Sequence, residues 1–387
     1  MADLYDRELA ADAGLDLDAV DALVERARRE VDEGLLPSCQ FALARDGEVV
    51  VDVTMGDARP DDRYVIFSCT KAVTAAAVWM LLGDGRLARE QRVADVVPAF
   101  GTNGKEAVTV EQLLTHTSGF PQAPLGPDEW ASREARLERF GKWRLNWEPG
   151  TRFEYHPTSA HWVLAELIEQ VTGDDYRRWI HDNVIAPLEL TRLLLGAPDG
   201  EPIDARPIVI VGEHPLPEEI EAALGVKVDL AELMGEVTDD AKVMFSRPEV
   251  LAAGVPGGGA VSTASDFARF YQALLHNRDG MWNPDVLRLG TATVLCDLPD
   301  PLRGTPSHRT LGLILAGDDG NAAMRGFGYT VSGAAFGHDG AGGQIAWADP
   351  ATGLSFCYLT DGHDRHLLHE WRRTAGIASR AGSVVPR

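Results

Sequence analysis

Ser68 and Lys71 stand three positions apart in Phe67-Ser68-Cys69-Thr70-Lys71, at the head of the apolar run from Ala72 to Leu82. If that run is helical, both side chains share a face and the amine lies beside the hydroxyl. A hydroxyl next to a group that can take its proton is the arrangement of an activated nucleophile. The start of a helix adds free backbone N–H groups and a positive dipole end, which favour charge on a carbonyl oxygen under attack. The plain alternative is a helix cap followed by a surface lysine. Composition argues against it: among 36 basic residues, lysine occurs only at Lys71, Lys105, Lys142, Lys227 and Lys242, and Lys71 alone sits in an apolar helical run.

An ordinary ammonium, with a pKa near ~10.4, cannot accept the serine proton, so a partner or a strong shift is required. Tyr155 is the candidate partner. Making a phenol anionic at neutral pH needs about three units of depression, roughly 4 kcal/mol. A cation at about 4 Å supplies roughly that much at an effective dielectric near ~20. The two groups would titrate as a pair, and the spacing does not name one of them as the sole base.

These residues need elements to hold them. The chain of 387 residues suffices for two domains or one large domain with an insertion. Residues 16 to 33 read as an amphipathic helix, and Cys39–Ala44 and Val49–Thr54 as a hairpin turning on Asp46-Gly47. Helices follow at Ala160–Val171, Tyr176–Val184 and Phe267–Leu275, with strand-like runs at Leu311–Ala316, Ala334–Gly337, Gln344–Ala348 and Leu354–Thr360. A last helix runs from about Asp364 to Ala375, and Ala378 to Arg387 read as frayed. Strands at both ends and helices between them predict an α/β (α+β) fold: an antiparallel sheet from residues 1–60 and 300–387, with a mostly helical region at 61–299. Residues 198 to 250, acidic and proline-rich, read as an insert within it, and Asp128–Trp147 as a segment overhanging a site.

A formal charge of -23 disfavours nucleic acid and anionic membranes as partners. Four cysteines without C-x-x-C pairing fit reduced thiols, and the polar, acidic start is unlike a signal peptide, so a cytoplasmic protein is expected. His363, His366 and His369 recur every third residue without an accompanying carboxylate or cysteine pattern, so no metal is expected. Cys69 reads as a buried structural thiol, His116 as a loop brace, and His156 as either lining the site or capping a turn. The absence of a G-x-S-x-G elbow disfavours the α/β-hydrolase fold.

Taken together, Ser68-Cys69-Thr70-Lys71, Leu113-Leu114-Thr115-His116-Thr117-Ser118-Gly119, Glu148-Pro149-Gly150-Thr151-Arg152-Phe153-Glu154-Tyr155, Gly258-Gly259 and Gly337-His338-Asp339-Gly340-Ala341-Gly342-Gly343 resemble the serine hydrolases of the class C β-lactamase and penicillin-binding protein fold. The likeness runs over about residues 18 to 375, apart from the insert. It implies that Ser68 is the acylated nucleophile, Lys71 its proton-relay partner and Tyr155 the general base. It also implies that the backbone N–H groups of Ser68 and Ala341 form an oxyanion hole, and that His338 and Gly340 lie along the substrate on an edge strand. Two departures bear on the substrate. The second motif, Tyr155-His156-Pro157, has proline where lactamases have asparagine, and the third has His338 where they have lysine. Both losses point to an uncharged ester. The expectation is a carboxylesterase on small neutral esters that needs no cofactor. A D-amino-acid amidase or DD-peptidase, a weak β-lactamase and an acyltransferase are the rivals within the class, and a non-hydrolytic penicillin-binding-like scaffold is the rival outside it. The oligomeric state is not readable.

Overall fold

The computed structural model describes residues 4–224 and 238–386. Part of the expected insert, residues 225–237, lies outside the described residues.

Six antiparallel strands form the central sheet: Ser38–Arg45 (β1), Glu48–Gly56 (β2), Ile314–Leu315 (β3), Phe336–Gly340 (β4), Gln344–Asp349 (β5) and Leu354–Thr360 (β6), in the order β2-β1-β6-β5-β4-β3. The β1–β2 hairpin turns at Asp46 (φ 55°) and Gly47 (φ 91°), and a tight turn with both central residues left-handed matches the twist of the strands it joins. Side chains alternate across β1. Phe41 and Leu43 join an outer core with Val51, Trp347 and Phe356, whereas Ala42 and Ala44 join the inner core with Cys357 and Leu359. Small residues on the inner face let a helix lie close.

That helix is Ala264–His276, started by Thr263, whose hydroxyl accepts from Asp266 N at 3.3 Å. Its Gln272 amide donates to Ala44 O at 2.9 Å and Ser355 Oγ at 3.0 Å, which ties helix to sheet through a buried polar contact. The outer face is covered by Leu17–Asp32 and Leu367–Ala381. The expected fraying at the end of the chain is corrected here. The helix runs on to Ala381, Ala378 and Val384 are buried, and Asp16 N donates to Val384 O at 2.7 Å. The apolar face of 377–385 has the outer core to bury against, which outweighs its small and polar neighbours.

Against the inner face lies the helical region, centred on Thr70–Gly83, whose residues 70–79 are all buried. Trp79 is fully enclosed and donates to Leu311 O at 2.7 Å. A small three-stranded sheet of Tyr64–Val65, Ala260–Ser262 and Leu194–Leu195 sits beside it and carries the approach to Ser68. Within 198–250, Val209–Val211 pairs in parallel with Gly362–Asp364, and Pro217–Leu224 is helical.

Candidate active site

Ser68 does not open the long helix directly. It sits in a single tight turn, Phe67–Cys69, that leads into Thr70–Gly83. Backbone contacts pin the turn from one side: Ile66 N donates to Ala260 O at 3.0 Å, and Ala260 N donates to Thr70 Oγ1 at 3.1 Å. From the other side, the Cys69 thiol donates to His338 O at 3.2 Å. Phe67 adopts φ 45°, an uncommon conformation for a bulky residue that persists only where surroundings impose it. Here its ring is wedged between Phe245 (5.3 Å) and His363 (5.0 Å).

Tyr155, distant in sequence, and Lys71, three residues on, converge on this turn. Tyr155 donates its hydroxyl hydrogen to Ser68 Oγ at 2.7 Å, and Lys71 Nζ lies 3.2 Å from the same oxygen. Lys71 Nζ also donates to Pro157 O and to Gly257 O, both at 2.7 Å, and the side chain is fully buried. Gly257 permits that approach, since a Cβ there would stand 3.1 Å from Pro157 O and 3.4 Å from the amine. Burial, and then the nearby Arg309 charge, hold the Lys71 amine well below its ordinary range. Burial pushes the Tyr155 phenol above its ordinary range, opposed by the Arg309 charge and by its hydrogen bond to Ser68. A neutral amine and a neutral phenol fit these directions. A neutral amine has two N–H donors and one lone pair. The two carbonyls take the donors, which leaves the lone pair for the Ser68 hydroxyl.

The neighbouring segments serve as supports. Strand β4 runs past the turn, and a Cβ on Gly340 would lie 2.6 Å from Ile66 O, so glycine is what lets the strand approach. Ala341, just beyond it, borders the same cavity as Ser68. That cavity, about 310 Å³, is walled largely by apolar groups, among them Phe67, Leu125, Trp130, Met244 and Phe245. Lys242 on its border is mostly buried and paired with Asp239 at 3.2 Å.

Three expectations need correcting. His156 does not line the cleft: it is fully buried, with Nε2 accepting from Phe120 N (3.2 Å) and facing Ser118 Oγ (3.0 Å), while Nδ1 donates to Glu154 O (2.7 Å). Both ring nitrogens are spent on loop backbone and hydroxyl, so it is a brace like its neighbour His116, whose Nδ1 accepts from His156 N at 3.2 Å. His338 likewise has no nitrogen left for a substrate. Arg309 Nη1 lies 3.2 Å from its Nε2 and can only donate, so Nε2 accepts and Nδ1–H donates to Asp339 O at 2.6 Å. Its ring is neutral, with burial pushing the pKa down to about 3. The positive charge expected to be missing at the third motif is also present nearby. It is carried by Arg309, which sequence reasoning did not single out because Ser307-His308-Arg309-Thr310 has neither a period nor a motif.

The histidine triplet has a packing explanation. His366 and His369 stack at 3.6 Å and His363 packs on Phe67. Among the described residues no group of three or more His, Cys, Asp or Glu side chains is placed to hold a metal ion, and no helix is long and apolar enough to cross a membrane.

Comparison with known proteins agrees with this architecture. The profile of the beta-lactamase family matches residues 20–378. The chain is 29% identical over 348 residues to an esterase/beta-lactamase LipL of Mycobacterium tuberculosis, covering 84% of this chain and 77% of the relative. Among solved structures, a penicillin-binding protein homologue from Caulobacter crescentus superposes with a TM-score of 0.71 at 28% identity, covering 94% of this chain and 97% of the other. EstA from Arthrobacter nitroguajacolicus Rue61a gives a TM-score of 0.74 at 24% identity, covering 94% and 96%, a likeness of fold. The chain therefore belongs to the beta-lactamase family, whose members are serine hydrolases that include esterases and amidases.

Proposed function

We propose that the protein is a serine carboxylesterase that hydrolyses small neutral esters through an acyl-Ser68 intermediate. The observation that carries this reading is the bonding around one oxygen: Ser68 Oγ receives the Tyr155 hydroxyl at 2.7 Å and faces Lys71 Nζ at 3.2 Å, with the other amine donors held on Pro157 O and Gly257 O. Neutral Lys71 takes the Ser68 proton as the oxygen bonds to the ester carbonyl carbon. The tetrahedral oxyanion is met by the backbone N–H groups of Ser68 and Ala341. As the carbonyl reforms and the ester C–O bond breaks, Tyr155 passes its proton to the departing alkoxide and is left as a phenolate beside the Lys71 ammonium. In the second half the phenolate takes a proton from water, the hydroxide so formed attacks the acyl carbon, and Ser68 leaves with the proton from Lys71. Every group returns to its starting state.

Uncharged substrates are favoured by the apolar walls of the cavity, by the absence of a carboxylate on its border among the described residues, where an aminoacyl ammonium would need one, and by the pairing of the bordering Lys242 with Asp239 at 3.2 Å. A volume of about 310 Å³ leaves room for acyl groups larger than acetyl. The test is a panel of 4-nitrophenyl esters and D-alanyl amides run on wild type and Ser68→Ala, with intact-mass detection of a fluorophosphonate adduct. Ester turnover and a single adduct, both lost in the variant, are the expected result. Turnover surviving in Ser68→Ala, or amide turnover exceeding ester turnover, overturns the reading.

A further inference from the structure

Arg309 is an uncommon kind of charge. Its side chain is 1% exposed, its Nε has no hydrogen-bond partner, and no carboxylate lies within ion-pair distance among the described residues. The two acids whose charges reach it, Asp300 and Asp339, are engaged by Arg303, at 3.8 Å and through two contacts of 2.8 Å. What surrounds the guanidinium instead is the Phe153 ring at 5.4 Å, the Tyr155 ring at 5.3 Å and the neutral His338 imidazole. Isolated charge is expensive to bury unless something meets it, and ring faces and an imidazole meet it only in part. A fuller counter-charge forms next to it only while Tyr155 is a phenolate.

We infer that Arg309 is a positioning residue for the esterase cycle, holding the Tyr155 ring and stabilising the phenolate that remains after the phenol protonates the departing alcohol. The inference rests on the proposed acyl-Ser68 mechanism. The step is balanced: the bond between the acyl carbon and the alkoxy oxygen breaks, the Tyr155 O–H proton moves to that oxygen, and the negative charge stays on the phenol oxygen opposite the Lys71 ammonium. In the resting state the same cation opposes the upward push of burial on the phenol, which is the direction this role requires. His338 is the second contact: by accepting from Arg309 it is kept as the neutral Nδ1–H form, so the edge strand adds no competing charge.

A role in protonating the leaving group has a signature that a role in folding lacks. A nitrophenolate departs without a proton, whereas an ethoxide needs one, and the two can be compared on one acyl group. In Arg309→Met, kcat/KM for ethyl butyrate is expected to fall roughly ten- to a hundredfold further than for 4-nitrophenyl butyrate, the scale of one screened charge at this distance. Arg309→Lys keeps the charge and should retain most of the wild-type ratio, while Arg309→Gln, which can still donate to His338, should lose it. Equal losses on both esters, or no loss on either, overturn the inference. If the methionine variant does not fold, the lysine and glutamine pair decides alone, and equal ratios in those two overturn it. Failure of wild type to form an acyl adduct would instead break the underlying mechanism, so the two failures are distinguishable.

Discussion

Two buried lysines in this molecule have nearly the same surroundings. Lys71 is held by two backbone carbonyls and a hydroxyl, with its Nζ 4.9 Å from the Tyr155 ring centre. Lys105 is held by Thr102 O (2.7 Å), Trp143 O (2.6 Å) and Thr102 Oγ1 (3.2 Å), with its Nζ 5.3 Å from the Phe100 ring centre. The contacts match and the consequences differ. Lys105 lies under a loop whose residues 103, 104, 106 and 107 are exposed, and its pKa is lowered by burial to about 8. Lys71 lies within an unbroken run of buried residues, with Arg309 as an added cation, and burial and that charge hold its amine well below its ordinary range. Two carbonyls make a lysine a brace. Depth, a second cation and a hydroxyl that opens on a cavity suit the same amine to the role of proton acceptor proposed for it.

The sharpest way to break this contrast is to remove the groups that differ. Ser68→Ala should lower kcat/KM on 4-nitrophenyl butyrate by roughly a thousandfold or more with little change in stability, read by steady-state assay and urea unfolding. Methionine at the two lysines should then give opposite results. Lys71→Met should remove activity on a similar scale, whereas Lys105→Met should retain activity and lose about 1–3 kcal/mol of stability, because the carbonyls of Thr102 and Trp143 lose their donor. Equal activity losses in the two would erase the distinction.

The pH dependences should separate as well. With Lys71 required neutral and Tyr155 required protonated, kcat/KM should rise on an acid limb set by the lowered amine and fall only above the ordinary phenol range. A rising limb near ~10 would show that Lys71 is an ordinary ammonium. For Lys105 the folded pKa is the lower one, so between about 8 and 10.5 the unfolded chain binds more protons. Stability of wild type relative to Lys105→Met should therefore climb with pH through that window and be flat below it. The smallest effect expected is on selectivity. Trp130→Ala, which enlarges the apolar cavity, should shift preference toward longer acyl chains by several-fold, measured as the ratio of hexanoate to acetate ester turnover.

The legible part of the site was the part carried by side-chain identity along one element. Ser68 and Lys71 stand on one short stretch, and a lone lysine in an apolar run of an arginine-using chain is visible by composition. What the residues alone hid were partners contributed by the backbone and by packing. The carbonyls of Pro157 and Gly257 leave no mark in a residue string, and Arg309 becomes meaningful only when β4 brings His338 against it. His156 was ambiguous because a histidine beside a catalytic tyrosine reads alike whether it faces the cleft or the loop behind. Here its neighbours Ser118 and Phe120 decide, and they lie far off in sequence. Fold was legible where periodicity was long, as in the hairpin and the amphipathic helices. It was weaker at Ile314–Leu315, where only two residues of the run Leu311–Ala316 pair as strand, and at the last helix, read as ending near Ala375 but running on to Ala381.

The glycine at position 340 carries a further consequence. The two backbone amides assigned to the oxyanion belong to different parts of the chain, one to the tight turn at Ser68 and one to the residue just past β4, and the gap between those parts is set by a methyl group that is not there. Alanine at 340 would work as a wedge that spreads the donors, so variation at this position would tune the span of the anion cradle and leave the nucleophile, amine and phenol in place.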